Sequence, residues 1–174
     1  PLENRVRMDK LAQAVVLTSQ GIPFLHSGEE FLRTKKGEGN SYNLPDEINK
    51  IDWTLKKTNN AVFAYYRDLI AMRKAHPAFR MTSARAVRDH LQFYEDLCLP
   101  VAEPNIAYQL NGAEIGDPWA RIIVLINPRK GAQQFVLPPG EYEKAFDENG
   151  ACAGGRKFKG FIEVPALSLM ILRS

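Results

Sequence analysis

The run Ile22-Pro23-Phe24-Leu25, set between Gly21 and Gly28, most constrains what this chain can fold into. It is short and nearly all apolar, the pattern of a strand buried on both faces in a parallel sheet. Pro23 has no backbone N–H and fits only near the start of such a strand. Around this run the sequence offers helices. Arg5 to Ser19 carries Val6, Met8, Leu11, Ala12, Val15, Val16 and Ser19 at helical spacing, with Asn4 as N-cap and Gly21 as stop. Ala61 to Ala75 repeats the pattern through Phe63, Tyr66, Leu69, Ile70 and Arg73, capped by Asn59 or Asn60 and ended by His76-Pro77. One helix, one strand and one helix cannot build a parallel sheet, because a buried strand needs neighbours on both edges. Residues 1–80 therefore read as the last βα unit, with the preceding helix, of a larger α/β domain that begins before Pro1. They are expected to be exposed, poorly ordered or packed on another copy.

Beyond Arg80 the texture changes. Short β-branched and aromatic runs alternate with turn clusters: "HLQFYE", "NIAYQL", "RIIVLINP", "QQFVLPPGEY", "FIEV" and "LSLMILRS". Pro138 to Gly140, Asp147 to Gly150 and Gly154-Gly155 supply turns. This spacing predicts an all-β antiparallel sandwich or barrel over residues 81–174, with Arg85 to Ser174 compact by itself. The boundary falls between Pro77 and Ala84.

Charge and cysteine usage narrow the partners. A net charge of +3, with the one basic cluster "RTKK" followed at once by Glu38, argues against nucleic acid. No apolar stretch reaches the ~18 residues of a membrane span. The opening "PLENRVRMDK" is polar, so no signal peptide is read there, and it lacks an initiator Met, as a processed chain or a piece of a longer one would. Nothing marks a compartment. Cys98 and Cys152 lie far apart outside any CxxC spacing and read as two buried free thiols. His26, His76 and His90 are equally dispersed, so neither a metal site nor a cofactor is expected.

Ser27 to Thr58 is the stretch to which a function attaches. Gly28, Gly37, Gly39, Pro45 and several Asn residues break any periodicity. Loops longer than ~12–15 residues without structure of their own are usually functional or disordered. Phe31, Leu32, Tyr42, Leu44, Ile48 and Trp53 are available to pin this one down. It also follows the C-terminal end of the predicted strand, where α/β folds bind ligands. Arg33, Asn40, Ser41, Tyr42 and Asn43 offer donors, acceptors and an aromatic face, which suits a sugar. The plainer alternative is that Asn and Gly form turns and Tyr42 fills a gap. Glu29 and Glu30 are adjacent, whereas the facing carboxylates of glycoside hydrolysis come from different strands. A structural hydrogen-bonding role is the better reading for both.

These same residues carry a family resemblance. "QGIPFLHSGEEFLRTK", "NSYN" with "PDEINKIDW", and "YYRDLIAMRKAHPAFR" resemble the region around the eighth barrel strand, its loop and the last barrel helix of type I pullulanases. These are debranching enzymes of the α-amylase superfamily. The resemblance implies the end of a (β/α)8 catalytic barrel over residues 1–80 and a C-terminal β-sandwich domain over 81–174. It implies a retaining hydrolase of α-1,6 links in pullulan, starch or glycogen. The family's Asp nucleophile, Glu acid/base and stabilising Asp lie on earlier strands. No His-Asp pair of the stabilising motif occurs here, so no catalytic residue is carried over and this chain alone is expected to be inactive. Arg33, Asn40 and Tyr42, with Ser41 by proximity, are carried over as substrate-binding residues, by direct contact or by shaping the loop. Asp52 and Trp53 match as a structural anchor. The implied partners are α-glucan oligosaccharides and the N-terminal part of the same polypeptide. An isoamylase-like enzyme and a non-catalytic carbohydrate-binding module are the alternatives. The spacing of Phe93, Tyr94, Tyr108, Trp119, Phe135 and Tyr142 favours core positions over an exposed sugar platform.

Overall fold

The computed structural model describes residues 2–174. Helix α1 (Leu2–Thr18) begins ahead of Asn4, which therefore lies inside the helix and does not cap it. Its buried line is Leu11, Ala14, Leu17 and Thr18, while Met8 faces outward. Helix α4 (Asn60–Ala75) follows the short turns α2 (Asp46–Asn49) and α3 (Thr54–Thr58), and it ends where His76-Pro77 predicts. Its buried face is Val62, Tyr65, Tyr66, Leu69, Met72 and Arg73, so Ile70 lies outside the stripe expected for it.

The predicted strand at Ile22–Leu25 does not form. The segment is irregular, with Ile22 98% and Phe24 87% exposed. The physical reason is the one that made the run informative: a strand needs ladder partners, and every strand of the described residues lies after His90.

Those strands build the antiparallel architecture the sequence predicts. A short helix α5 (Ala84–His90), capped by the Ser83 hydroxyl accepting from the Ala86 N–H at 3.1 Å, leads into β1 (Leu91–Phe93). Next come β2 (Ile106–Asn111), β3 (Arg121–Asn127), β4 (Gln133–Val136) and β5 (Tyr142–Asp147). The chain closes with β6 (Gly150–Ala151), β7 (Lys157–Phe158), β8 (Phe161–Val164) and β9 (Ser168–Arg173). The main sheet has the order β1-β2-β3-β9-β5-β6, with β7 also on β5, and β4 pairs with β8 as a second, two-stranded sheet. Asp147–Gly150 makes the β5–β6 turn, with Gly150 at φ +118°, a region that favours glycine.

Side chains alternate across the main sheet with period two. Ala107, Ile123, Leu125, Met170 and Leu172 meet Phe135, Leu137, Ile162 and Val164 of the small-sheet layer. Tyr108, Leu110, Ile122, Val124, Ile126, Leu169 and Ile171 share the opposite core with Leu11, Leu17, Tyr65 and Leu69 of the two long helices. The helices are thus neither exposed nor free of the β layer, contrary to expectation. Burial of these apolar faces outweighs leaving them in water. At the α4 end, buried His76 lies 2.8 Å from Asp117 through Nδ1 and stacks on Trp119 at 3.5 Å between ring centroids. The two cysteines are free, as expected, but Cys98 is exposed and Cys152 is half-buried. Burial pushes the Cys152 thiol up to about 11.

The C-terminus of α1 is closed by a side chain from α4. Buried Arg73 donates through Nη1 to the carbonyls of Leu17 at 2.8 Å and Ser19 at 2.7 Å, and through Nη2 to Gly21 at 2.6 Å. These are carbonyls that no further helical turn satisfies. Replacing Arg73 by Met keeps the stem and removes three charge-assisted bonds, and should cost roughly 3 kcal/mol or more. Urea unfolding measures this, and a loss below about 1 kcal/mol would show that water replaces the guanidinium at little cost.

Candidate functional site

The loop after Ile22–Leu25 folds around one glycine. Gly28 has φ +97°, and a Cβ there would sit 2.7 Å from Cδ and 2.8 Å from Cβ of Arg33. Both the backbone angle and the close approach exclude a side chain. The turn Glu29–Phe31 then drives Phe31 into the core, fully buried, with its ring centroid 5.6 Å from that of Trp53. Asn59 donates to the Phe31 carbonyl at 3.0 Å instead of capping α4 through its side chain. Asp52 accepts from the Thr54 N–H at 3.0 Å and hydroxyl at 2.6 Å, and these bonds hold its carboxyl below the usual range. Asp52 thus bonds only its near neighbour Thr54, and Trp53, though packed on Phe31, is 65% exposed, so the anchor expected of the pair reduces to this one ring contact.

Of the sequence-predicted contact residues, Arg33 points inward. It donates through Nη1 to the Ser27 carbonyl at 3.0 Å and through Nη2 to the Asn49 carbonyl. Asn40 and Tyr42 point outward, with Tyr42 82% exposed, and Ser41 is half-buried. Asn49 ties the two ends of this segment together. Its Nδ2 donates to the carbonyls of Ser41 at 2.7 Å and Leu44 at 2.6 Å, and its Oδ1 accepts from Lys35 Nζ at 2.7 Å. Sequence reasoning missed Asn49, since nothing in "DEINK" separates it from the other Asn residues of the loop.

At the base of the loop three carboxyls gather. Gln13 donates to Glu29 at 2.8 Å, and the Gly28 N–H donates to Glu30 at 2.9 Å, so both glutamates hold the turn. Asp9 of α1 accepts from the Tyr66 hydroxyl at 3.0 Å. Burial, aided by the charge of Glu29, raises the Asp9 carboxyl from 3.8 to about 6. Glu30 and Tyr66 also line a cleft of about 400 Å³ with His26, Phe63, Arg67 and Ile70. Asp9 had no signal in the sequence, because only the packing of α1 on α4 brings it there.

The chain is similar over nearly its whole length to pullulanases. A family model described as "Pullulanase, all-beta domain" matches residues 87–150. The pullulanase of Bacillus subtilis (strain 168) is 38% identical over 176 residues, covering 99% of this chain and 24% of its own length. The chain matches the C-terminal portion of pullulanases. An isoamylase of Flavobacterium sp is 32% identical over 143 residues, covering 73% of this chain and 18% of that protein. The crystal structure of a pullulanase complexed with maltotetraose, from Anoxybacillus sp. LM18-11, superposes with a TM-score of 0.88 at 38% identity. It covers 100% of this chain and 24% of that one. The chain thus spans about a quarter of the length of the pullulanases it matches. Among the aromatics weighed as a sugar platform, Tyr94, Tyr108, Phe135 and Tyr142 are buried, and Trp119 lies between His76 and the Arg173 guanidinium. Phe93, by contrast, is 45% exposed and edge-on to Tyr108.

The Asp9 carboxyl gives a pH test. Its folded value is raised above the unfolded one, so the folded chain binds more protons between about pH 4 and 6. Its contribution therefore falls as pH rises through that window and is level above it. Asp9→Asn keeps an acceptor for Tyr66. It should match the parent in urea midpoint at pH 4 and exceed it at pH 7. An equal difference at both pH values would remove Asp9 as the titrating group.

Proposed function

We propose that this chain is the C-terminal portion of a retaining debranching hydrolase that cleaves α-1,6-glucosidic links in pullulan, starch or glycogen. Residues 1–80 complete a (β/α)8 catalytic barrel and residues 81–174 form its C-terminal β domain. The observation that carries this reading is the match, over 99% of the chain, to a pullulanase. The exposed run Ile22–Leu25 supports it. Ile22, Pro23 and Leu25 border an open groove of about 720 Å³ with Leu17, Ile70 and Met81. An apolar surface of this kind needs covering, and the earlier strands of the same barrel would cover it. Ile22–Leu25 then becomes the eighth strand, with its missing ladder partners supplied by the rest of the polypeptide.

In that setting the chemistry belongs to carboxylates outside this chain: an Asp nucleophile, a Glu acid/base and a second Asp. This chain supplies no catalytic group and is inactive by itself. Its part is to bind the α-glucan. Asn40, Ser41 and Tyr42 contact the sugar, the Tyr42 ring against C–H faces and the amide of Asn40 against hydroxyls. Arg33 contributes by holding the loop. A second reading, an isoamylase-like enzyme, draws on the 32% identity to the Flavobacterium isoamylase.

The full-length protein should cleave pullulan in preference to glycogen, and the reverse preference would install the isoamylase reading. In the same protein Tyr42→Ala should raise KM for branched maltooligosaccharides roughly fivefold, the loss of one aromatic contact. Unchanged kinetics in both Tyr42→Ala and Arg33→Ala would remove the loop from the substrate site.

A further inference from the structure

We infer that Asn49 is the positioning residue of this loop, acting with Arg33 to hold Ser41–Leu44 as a turn that presents Tyr42. The inference rests on the reading of Asn40–Tyr42 as sugar contacts. Every hydrogen-bonding atom of the Asn49 side chain is committed within the loop. Both amide N–H groups donate to carbonyls, of Ser41 at 2.7 Å and Leu44 at 2.6 Å, while Oδ1 accepts from the Lys35 ammonium at 2.7 Å. The ammonium on one side and the two carbonyls on the other allow only one orientation of the amide. The backbone carbonyl of Asn49 accepts from Arg33, whose stem rests on Gly28. One residue therefore joins the start of the loop, at Arg33 and Lys35, to its far end.

The two carbonyls that Asn49 holds mark the ends of a turn. The Leu44 N–H donates back to the Ser41 carbonyl at 3.1 Å, which makes Tyr42 and Asn43 the central residues. Ser41 O thus accepts from both Leu44 N and Asn49 Nδ2. With its ends fixed, the turn projects the Tyr42 ring into solvent, 82% exposed. Ring placement before binding lowers the ordering cost when a sugar arrives. A side chain that fixes the turn without touching the sugar acts on affinity, not on the bond-breaking step.

The test uses the full-length protein. Asn49→Asp keeps size and the partner for Lys35 but places an anion against two carbonyls. It should raise KM for branched maltooligosaccharides roughly tenfold with kcat within about twofold, and speed amide exchange across Ser41–Leu44. Lys35→Met, which frees the amide to turn, should move both readouts in the same direction by less. Asn59→Ala removes the bond to Phe31 at the other end of the loop, and should lower the thermal midpoint with KM unchanged. Faster exchange with KM unmoved in both loop variants overturns the positioning role. So does a KM rise in Asn59→Ala equal to that in Asn49→Asp, since it would make the effect one of general stability. If the parent protein cleaves neither pullulan nor glycogen, the debranching reading fails, while the exchange readout still decides whether Asn49 holds the turn.

Discussion

The Arg73 guanidinium at the end of α1 is the interaction on which the helical layer depends. Helix α1 stops at Thr18, and the carbonyls of its end, buried at Leu17 and part-buried at Ser19 and Gly21, lie beside α4. Unpaired there, each costs more than a hydrogen bond returns. Arg73 takes three of them, and the Tyr108 hydroxyl of β2 donates to a fourth, that of Thr18, at 3.1 Å. The end of α1 is therefore tied to the other long helix and to the main sheet at one point. Gln20 adds a second tie, donating to the Ala78 carbonyl at 2.8 Å and accepting from the Met81 N–H at 3.1 Å. The chain leaves this knot at Gly21, so the direction in which Ile22–Leu25 departs follows from it.

That arrangement explains why β3 is buried from Ile122 to Asn127 without interruption. A sheet covered on one face shows alternating burial. This one has the helices on one side and the β4–β8 pair on the other, so both sets of side chains are enclosed. The unbroken apolar run "IIVLI" is the imprint of that double cover. The run "IPFL" has the same apolar density, but the described residues cover neither of its faces and leave Ile22 and Phe24 exposed.

How far the sequence could be read follows from this contrast. Local pattern found α1 and α4 to within a few residues, and the runs around β1–β4, β8 and β9, because periodicity reflects burial directly. It placed α1's start too late, since Asn4 is a good cap in isolation. It gave Ile70 an inward place because helical spacing leaves the rotation of the buried stripe open by about one position. It read Ile22–Leu25 as a strand, which the described residues alone do not form, because a strand is a property of its neighbours. It did not see that residues 1–80 share a core with the sheet, which depends on long-range packing of Leu11 and Tyr65 against Leu169 and Phe146. At the loop, residue types singled out a stretch, but not which of its residues face in and which face out.

That last distinction is where structure adds most to function. Arg33, Asn40, Tyr42 and Asn49 are all chemically suited to grip a sugar. Composition treats them alike. The structure divides them by where their polar atoms are already spent. Arg33 and Asn49 bond backbone carbonyls of their own loop, while Asn40 and Tyr42 stand in solvent. Asn49, whose donors and acceptor are all satisfied within the loop, has little left to offer a ligand except the position of its neighbours, whereas Arg33 keeps a buried Nε without a partner. A long polar loop can therefore keep a defined shape only if some of its polar residues are consumed internally. The number it holds back, more than the number it contains, sets how much recognition it can perform.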